Sequence, residues 1–109
     1  MYYCRDFALQ YLLRITANAE MTRDLLHPAV GILRRYDREN GTELIKTLDS
    51  YMEHGRNQIR TAEALFIHRN TLKYRLARIE ELPQIQLSEP EDTLYLLLSL
   101  RLSACFENA

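Results

Sequence analysis

The spacing of two short helical segments constrains this chain more than any other feature of its sequence. Apolar residues recur with a helical period over residues 58–65 and again over 69–82, with only residues 66–68 between them. So short a connection allows nothing but a tight turn, and the two helices must therefore pack against each other. The pattern is the outline of a helix-turn-helix.

The composition of the whole chain favours helices throughout. Its 109 residues are 47% hydrophobic and 27% charged, and they include only three Gly and three Pro. Leucine and other strong helix formers fill the segments between these few helix breakers. We therefore predict one all-α domain, a helical bundle of about five to six helices that contains the helix-turn-helix.

Two helices are predicted upstream of this pair, after a first one near the N-terminus. An amphipathic helix over residues 4–15 is followed by a linker at 16–20. Pro28 suits the first turn of the second helix, and Gly41 suits its C-terminal cap. Thr42 is then a natural N-cap for the third helix.

The third helix should stop at Gly55, and the last helix should open downstream of the pair. Ser88 and Glu91 have the spacing of a capping box for this last helix. Residues 95–102 are mostly leucine, so the helix is apolar on nearly every side. Either the other helices surround it, or one of its faces packs against a partner subunit or domain.

The charges of the chain are distributed unevenly. The formal net charge of −1 at pH 7 argues by itself against nucleic-acid binding, because phosphate contacts need clustered cations. Residues 56–80, however, hold six Arg and Lys against two Glu, a local charge of +4, whereas residues 81–95 hold four acids and no Arg or Lys. The basic block coincides with the predicted helix pair.

The two helices of the pair have residues suited to packing on each other. Ala62 supplies the small side chain where the second helix crosses the first, and Leu65 and Ile67 can fix the angle between them. Phe66 departs from the usual pattern, because a glycine often occupies this turn and phenylalanine takes a positive φ reluctantly.

The second helix of the pair divides into an apolar and a polar face. At 100° per residue, Leu72, Leu76 and Ile79 fall in one narrow sector, which we predict to be buried. Asn70 and Tyr74 point the opposite way. A helix of this kind would present its N-terminal residues to base edges in the major groove of DNA.

Residue chemistry then predicts a role for each polar side chain at this site. Arg69 and Lys73 can donate to guanine acceptors, and Asn70 can pair with adenine. Tyr74 either braces the DNA backbone or packs against a neighbouring side chain. The residues that we assign to phosphate contacts are Arg60, His68, Thr71, Arg75 and Arg78. A solvated helix face without a ligand is the plain alternative.

The chain lacks the sequence signatures of other function classes. Cys4 and Cys105 have no metal-ligand spacing, so we read them as small hydrophobes in a reducing cytosol. No nucleophile motif, carboxylate pair or glycine-rich phosphate loop is recognisable. We expect no enzymatic activity, no cofactor and no metal. Because no signal peptide or membrane span is evident, we expect a cytoplasmic protein.

The helix pair also carries a family resemblance. Residues 61–65 (TAEAL), 67–76 (IHRNTLKYRL) and 78–82 (RIEEL) resemble the C-terminal helix-turn-helix of the PucR and CdaR type regulators, and more distantly that of Fis. The stretch Leu26-His27-Pro28 and the pair Glu91-Asp92 fit the same pattern. The resemblance extends over roughly residues 25–105.

The resemblance implies a transcription factor, commonly an activator of catabolic genes, whose upstream region senses a signal. Residues 1–24 would then be a helix and linker at the tail of that upstream region, and residues 25–106 the DNA-binding domain. Since a single module binds DNA weakly, we expect a homodimer or higher homo-oligomer with recognition helices about 34 Å apart. The alternative function is a protein-interaction or dimerisation module without direct DNA contact.

Overall fold

Residues 26–107 are described in the computed structural model, and within this range they form five helices and no strand. The all-α prediction is therefore confirmed. The predicted helix at 4–15, its linker at 16–20 and the side chains of Cys4 and Cys105 lie outside the described residues. The helices are α1 (Pro28–Asn40), α2 (Leu44–Glu53), α3 (Gln58–Leu65), α4 (Arg69–Glu81) and α5 (Pro90–Glu107).

Helix α2 is the centre of the bundle. It packs against each of the other four helices, while α1 also touches α5 and α3 also touches α4. Every helix contributes to a single apolar core, which the connection between α4 and α5 completes through Leu87. The buried core residues are Ala29, Val30, Leu33, Leu44, Leu48, Ala62, Leu72, Leu76, Ile79, Leu87, Leu96 and Leu100.

The predicted ends of α1 are confirmed. Pro28 occupies the first position of the helix, and the ring of His27 caps it, with Nδ1 accepting the Ala29 N–H at 3.0 Å. Gly41 closes the helix in the left-handed region at φ 64°, where glycine has no Cβ to oppose it. Gly55 has the same φ just after α2, although His54 is the C-cap residue of that helix.

The predicted N-cap of α2 at Thr42 is wrong. The helix begins at Leu44, so that Glu43 is its cap residue, and the Glu43 side chain makes no capping hydrogen bond. The carboxylate of Asp37 on α1 takes this role, accepting the N–H groups of Leu44 at 2.8 Å and Ile45 at 2.9 Å. The Thr42 hydroxyl donates to the same carboxylate at 2.5 Å. An ionised acceptor bonds these orphan N–H groups more strongly than a hydroxyl does.

The predicted cap of α5 at Ser88 is also wrong. The helix begins at Pro90, which makes Glu89 rather than Ser88 the flanking residue. Proline suits the first helical position because its missing N–H would have had no helical partner there. Glu91 and Asp92 follow in the first turn, where their charges favour the positive end of the helix dipole.

The connection between α4 and α5 is fixed by hydrogen bonds on both sides of Leu87. The Leu87 N–H donates to the Glu80 carboxylate at 3.0 Å, and the Arg56 guanidinium donates to the Leu87 carbonyl at 3.1 Å. Arg56, counted in the basic block of the sequence, therefore serves the fold. This connection positions α5 relative to the helix-turn-helix.

Removal of the Asp37 carboxylate should destabilise the fold. Asp37→Ala leaves two N–H groups at the start of α2 without their acceptor, and we expect the free energy of unfolding to fall by about 1–2 kcal/mol in urea denaturation. Glu39→Ala is the matched control. It removes only an exposed ion pair with Arg35 in the same helix, which should change stability by no more than about 0.5 kcal/mol. Equal losses of unfolding free energy in the two variants would contradict the role of Asp37 as the cap of α2.

Candidate nucleic-acid interface

The turn of the helix-turn-helix is built around Phe66. Helix α3 starts at the Asn57 cap, whose side chain accepts the Arg60 N–H at 3.0 Å. It ends with Phe66 in the left-handed conformation, at φ 56° and ψ 42°. The Phe66 and Ile67 N–H groups both bond to the last turn of α3. The chain therefore turns as a glycine would allow, although Phe66 has a Cβ that strains this conformation.

The two helices of the pair pack against each other, as predicted. Ala62 is buried in the core. Leu65 and Ile67 are partly buried against the core beside it. Phe66 takes no part in this packing, because its side chain is 96% exposed.

His68 is the N-cap residue of α4. Its Nδ1 accepts the Asn70 N–H at 3.0 Å, so the imidazole caps the first turn of the helix. A neutral imidazole that accepts at Nδ1 has its proton on Nε2. The exposed ring therefore offers an N–H donor next to the positive end of α4.

The two faces of α4 are as predicted. Leu72 and Ile79 are fully buried and Leu76 is 6% exposed, so this face is sealed in the core. Asn70 and Tyr74 are exposed on the opposite side, Tyr74 by 66%. Of the two roles open to Tyr74, this exposure favours contact with an external partner over packing within the domain.

Cations line both edges of the outward face. At 100° per residue, Arg69 and Lys73 lie on one edge and Arg75 and Arg78 on the other. Arg69 shares a groove with Phe66 and residues of α3, which identifies the first edge as the α3 side. The second edge faces α1 and α2, where its two arginines find partners.

The two arginines of the second edge bond to hydroxyl groups of neighbouring helices. Arg75 Nη1 donates to the Thr47 hydroxyl at 3.2 Å, and Arg78 Nη2 donates to the Tyr36 hydroxyl at 2.8 Å. The bond to Tyr36 raises the pKa of Arg78 above its ordinary value. Glu81 lies 3.7 Å from Arg78 as a more distant, exposed partner.

Eight of the nine sequence-predicted residues lie in α4 or at its N-cap, and the ninth, Arg60, lies in the first turn of α3. Two of them, Arg75 and Arg78, are half-buried rather than free. The exposed ones are Arg60, His68, Arg69, Asn70, Thr71, Lys73 and Tyr74. Sequence reasoning missed Tyr36 and Thr47, because nothing in the pattern of α1 or α2 indicates that their hydroxyls reach α4.

Among residues 26–107, no cluster of His, Cys, Asp and Glu has the arrangement of a metal site. In the same part of the chain, no helix combines the length and apolar character needed to cross a membrane.

Comparison with known families identifies the family of this helix-turn-helix. Residues 44–102 match the PucR C-terminal helix-turn-helix domain, a stretch that begins with α2 and ends within α5. The chain belongs to this family. The PucR-type resemblance predicted from the sequence is thus confirmed, and with it the class of DNA-binding domain found in transcription regulators.

Curated relatives of this PucR-type domain are much longer proteins. The chain is 36% identical over 101 residues to the carbohydrate diacid regulator of Escherichia coli, and the matched stretch covers 93% of this chain and 26% of that protein. It is 41% identical over 73 residues to the proline-responsive transcriptional activator PutR of Bacillus subtilis (67% and 18%), and 44% identical over 59 residues to the purine catabolism regulatory protein of the same species (54% and 11%). The chain spans about a quarter or less of these relatives. No solved structure matches it.

Glycine at position 66 should stabilise the domain. Phe66→Gly relieves the left-handed strain without removing buried contacts, and we expect thermal and urea unfolding to show a gain of about 0.5–1 kcal/mol. Ala64→Gly, at an exposed site inside α3, is the control and should cost about 1 kcal/mol. A loss of stability in both variants would mean that Phe66 makes contacts which outweigh its strain.

Proposed function

We propose that this domain binds duplex DNA sequence-specifically with α4 in the major groove, as the DNA-binding part of a longer transcription regulator. The observation that carries the proposal is the division of α4 into a sealed leucine face and an exposed polar face with cations on both edges. The major groove is wide enough to admit an α-helix, and phosphate backbones form both of its walls. A helix with cationic edges on both sides fits this environment.

The outward face supplies the base contacts in this proposal. Asn70 can donate and accept in a bidentate pair with adenine. Arg69 and Lys73 can reach guanine O6 and N7 from the edge nearer α3. All three lie in the first turns of α4, the part of a recognition helix that enters the groove in helix-turn-helix proteins.

Phosphate contacts would surround this reading face. His68 offers its Nε2–H at the start of α4, and Arg60 lies in the first turn of α3. The N-terminal end of a helix favours a bound anion, and a cation placed there adds to this attraction. Thr71 and Tyr74 add hydroxyl donors, and Arg75 and Arg78 add guanidinium groups on the second edge. These contacts fix the register of the helix without reading sequence.

The biological role follows the relatives in outline. One of them is named a carbohydrate diacid regulator, another a purine catabolism regulatory protein, and a third a proline-responsive transcriptional activator. We propose that this domain likewise serves a cytoplasmic activator of a catabolic operon, with an upstream region of the full-length protein sensing a small molecule. We assign the domain no catalytic step of its own.

Loss of the α3-side cations should weaken DNA binding strongly. For Arg69→Ala with Lys73→Ala, we expect at least a tenfold loss of affinity for a duplex selected from a random pool, since each good base contact contributes about 1–3 kcal/mol. Fluorescence anisotropy measures this affinity.

The control variant removes the same number of positive charges from another helix. Arg35→Ala with Arg38→Ala deletes two exposed cations of α1, a helix outside the helix-turn-helix pair, and should reduce affinity only slightly. Unchanged binding by the α4 double variant would exclude this helix as the DNA-reading element.

The exposed side of α5 supports a second candidate function, association with another copy of the chain. Leu94 is 60% exposed and Leu98 is 38% exposed, one helical turn apart. If two α5 helices pack antiparallel around position 96, Leu94 of each lies opposite Leu98 of the other. The same arrangement brings Glu91 near Arg101 of the second copy, but Arg101 Nη1 already donates to Asp49 of its own chain at 3.1 Å. The complementarity of this pairing therefore rests on the apolar surface. This pairing is compatible with DNA binding by α4.

A charge on this surface should prevent the association. We expect the wild-type chain to dimerise in sedimentation-velocity experiments at micromolar to millimolar concentration, and Leu94→Glu with Leu98→Glu to remain monomeric because carboxylates would have to be buried. Ile59→Glu, a single substitution of the same kind at another exposed apolar site, is the control and should still dimerise. A wild-type chain that stays monomeric throughout would refute the α5 pairing.

A further inference from the structure

A groove runs along the side of α4 that faces α1 and α2. It encloses about 360 Å³. One wall contains the turn at residues 41–43, and the other contains Thr71, Tyr74, Arg75 and Arg78 of α4. Two guanidinium groups and two hydroxyls of the recognition helix therefore line one open groove at the edge of its outward face.

Neutral groups hold both arginines of this groove. Arg78 donates to the Tyr36 hydroxyl and its guanidinium carbon lies 5.4 Å from the centre of the Tyr36 ring. Arg75 donates to the hydroxyl of Thr47, a fully buried side chain that in turn donates to the Glu43 carbonyl at 2.8 Å. A carboxylate partner would neutralise a guanidinium, whereas a hydroxyl fixes its direction and leaves its charge available.

The acidic groups at this groove compete weakly. Glu43 lines the groove, but its carboxylate lies 3.3 Å from the ammonium group of Lys46. Glu81 is 70% exposed and lies 3.7 Å from Arg78, beyond ordinary hydrogen-bond length. Exposed pairs of this kind contribute little free energy. An anion with better geometry can therefore displace them.

We propose that this groove binds a phosphodiester of the DNA backbone, and that Tyr36 and Thr47 are positioning residues which orient Arg78 and Arg75 toward it. The inference rests on the proposed DNA-binding function and assigns α1 and α2 a part in phosphate binding. The guanidinium fork matches phosphate oxygens. An arginine already oriented in the free protein loses less side-chain entropy on binding. The affinity of α4 for phosphate therefore depends on side chains of α1 and α2, two helices outside the helix-turn-helix pair.

The test is a double-mutant cycle between Tyr36 and Arg78. Binding of the 109-residue chain to a mixed-sequence duplex is followed by anisotropy over a series of NaCl concentrations. Tyr36→Phe should reduce affinity by about threefold to tenfold, the effect of one hydrogen bond. It should also make the salt dependence shallower by up to about 0.9, the contribution of one phosphate contact. In an Arg78→Ala background, Tyr36→Phe should change neither quantity further.

Controls separate positioning from simple stabilisation. Tyr51→Phe removes a hydroxyl from α2 at a different groove and should leave affinity and salt slope unchanged. Thermal unfolding should show that Tyr36→Phe remains folded. Thr47→Val with Arg75→Ala forms an independent cycle for the same groove and replaces the first cycle if Tyr36→Phe does not fold.

The outcomes distinguish the groove from the wider proposal. A wild-type chain that binds no duplex would overturn both the DNA-binding function and the groove. Wild-type binding that neither Tyr36→Phe nor Thr47→Val alters would overturn the groove alone. Equal losses with and without Arg78 would also overturn it, because the hydroxyl would then act independently of the guanidinium.

Discussion

Burial of the leucine face of α4 is the constraint on which the rest of this domain depends. Leu72, Leu76 and Ile79 are buried on the helix that packs against α2 and α3, and this burial fixes the rotation of α4 about its own axis. Once that rotation is fixed, Asn70 and Tyr74 must face outward. The cations must lie at the two edges, because side-chain directions along a helix follow from its 3.6-residue period. The proposed DNA-binding face is thus a geometric consequence of the core.

The two edges of α4 differ in how they are supported. Arg69 and Lys73 on the α3 side are exposed, as suits side chains that must adapt to base edges. Arg75 and Arg78 on the opposite side bond to hydroxyls from other helices, as suits groups that meet a phosphate at a constant position. Adaptable side chains favour contacts that read the base sequence, and pre-oriented side chains favour contacts that fix the position of the helix on the DNA backbone. The proposed division of labour therefore has a structural basis in the neighbours of each edge.

The fold departs from simple local rules at the turns around the helix-turn-helix. Phe66 adopts a left-handed conformation that a glycine would adopt without strain, and its side chain is almost fully exposed. The start of α2 is capped from α1 by Asp37 instead of by a residue of its own turn. At Phe66, tertiary packing outweighs the cost of about 1–3 kcal/mol for one strained residue. At the start of α2, the packing of α1 beside it supplies the acceptor that its own turn lacks.

The sequence by itself determined the helical class, the positions of the helix pair, the buried face of α4 and the basic block, because these follow from periodicity and local residue chemistry. It also indicated the family through residues 67–76. Only the tertiary structure decided that Asp37 caps α2, that Arg56 serves the α4–α5 connection, and that Tyr36 and Thr47 hold Arg78 and Arg75. The physical reason is distance along the chain. Each of these contacts except the Asp37 cap joins residues 28 or more positions apart, and hydrogen bonds between such residues leave no periodic signal in a sequence.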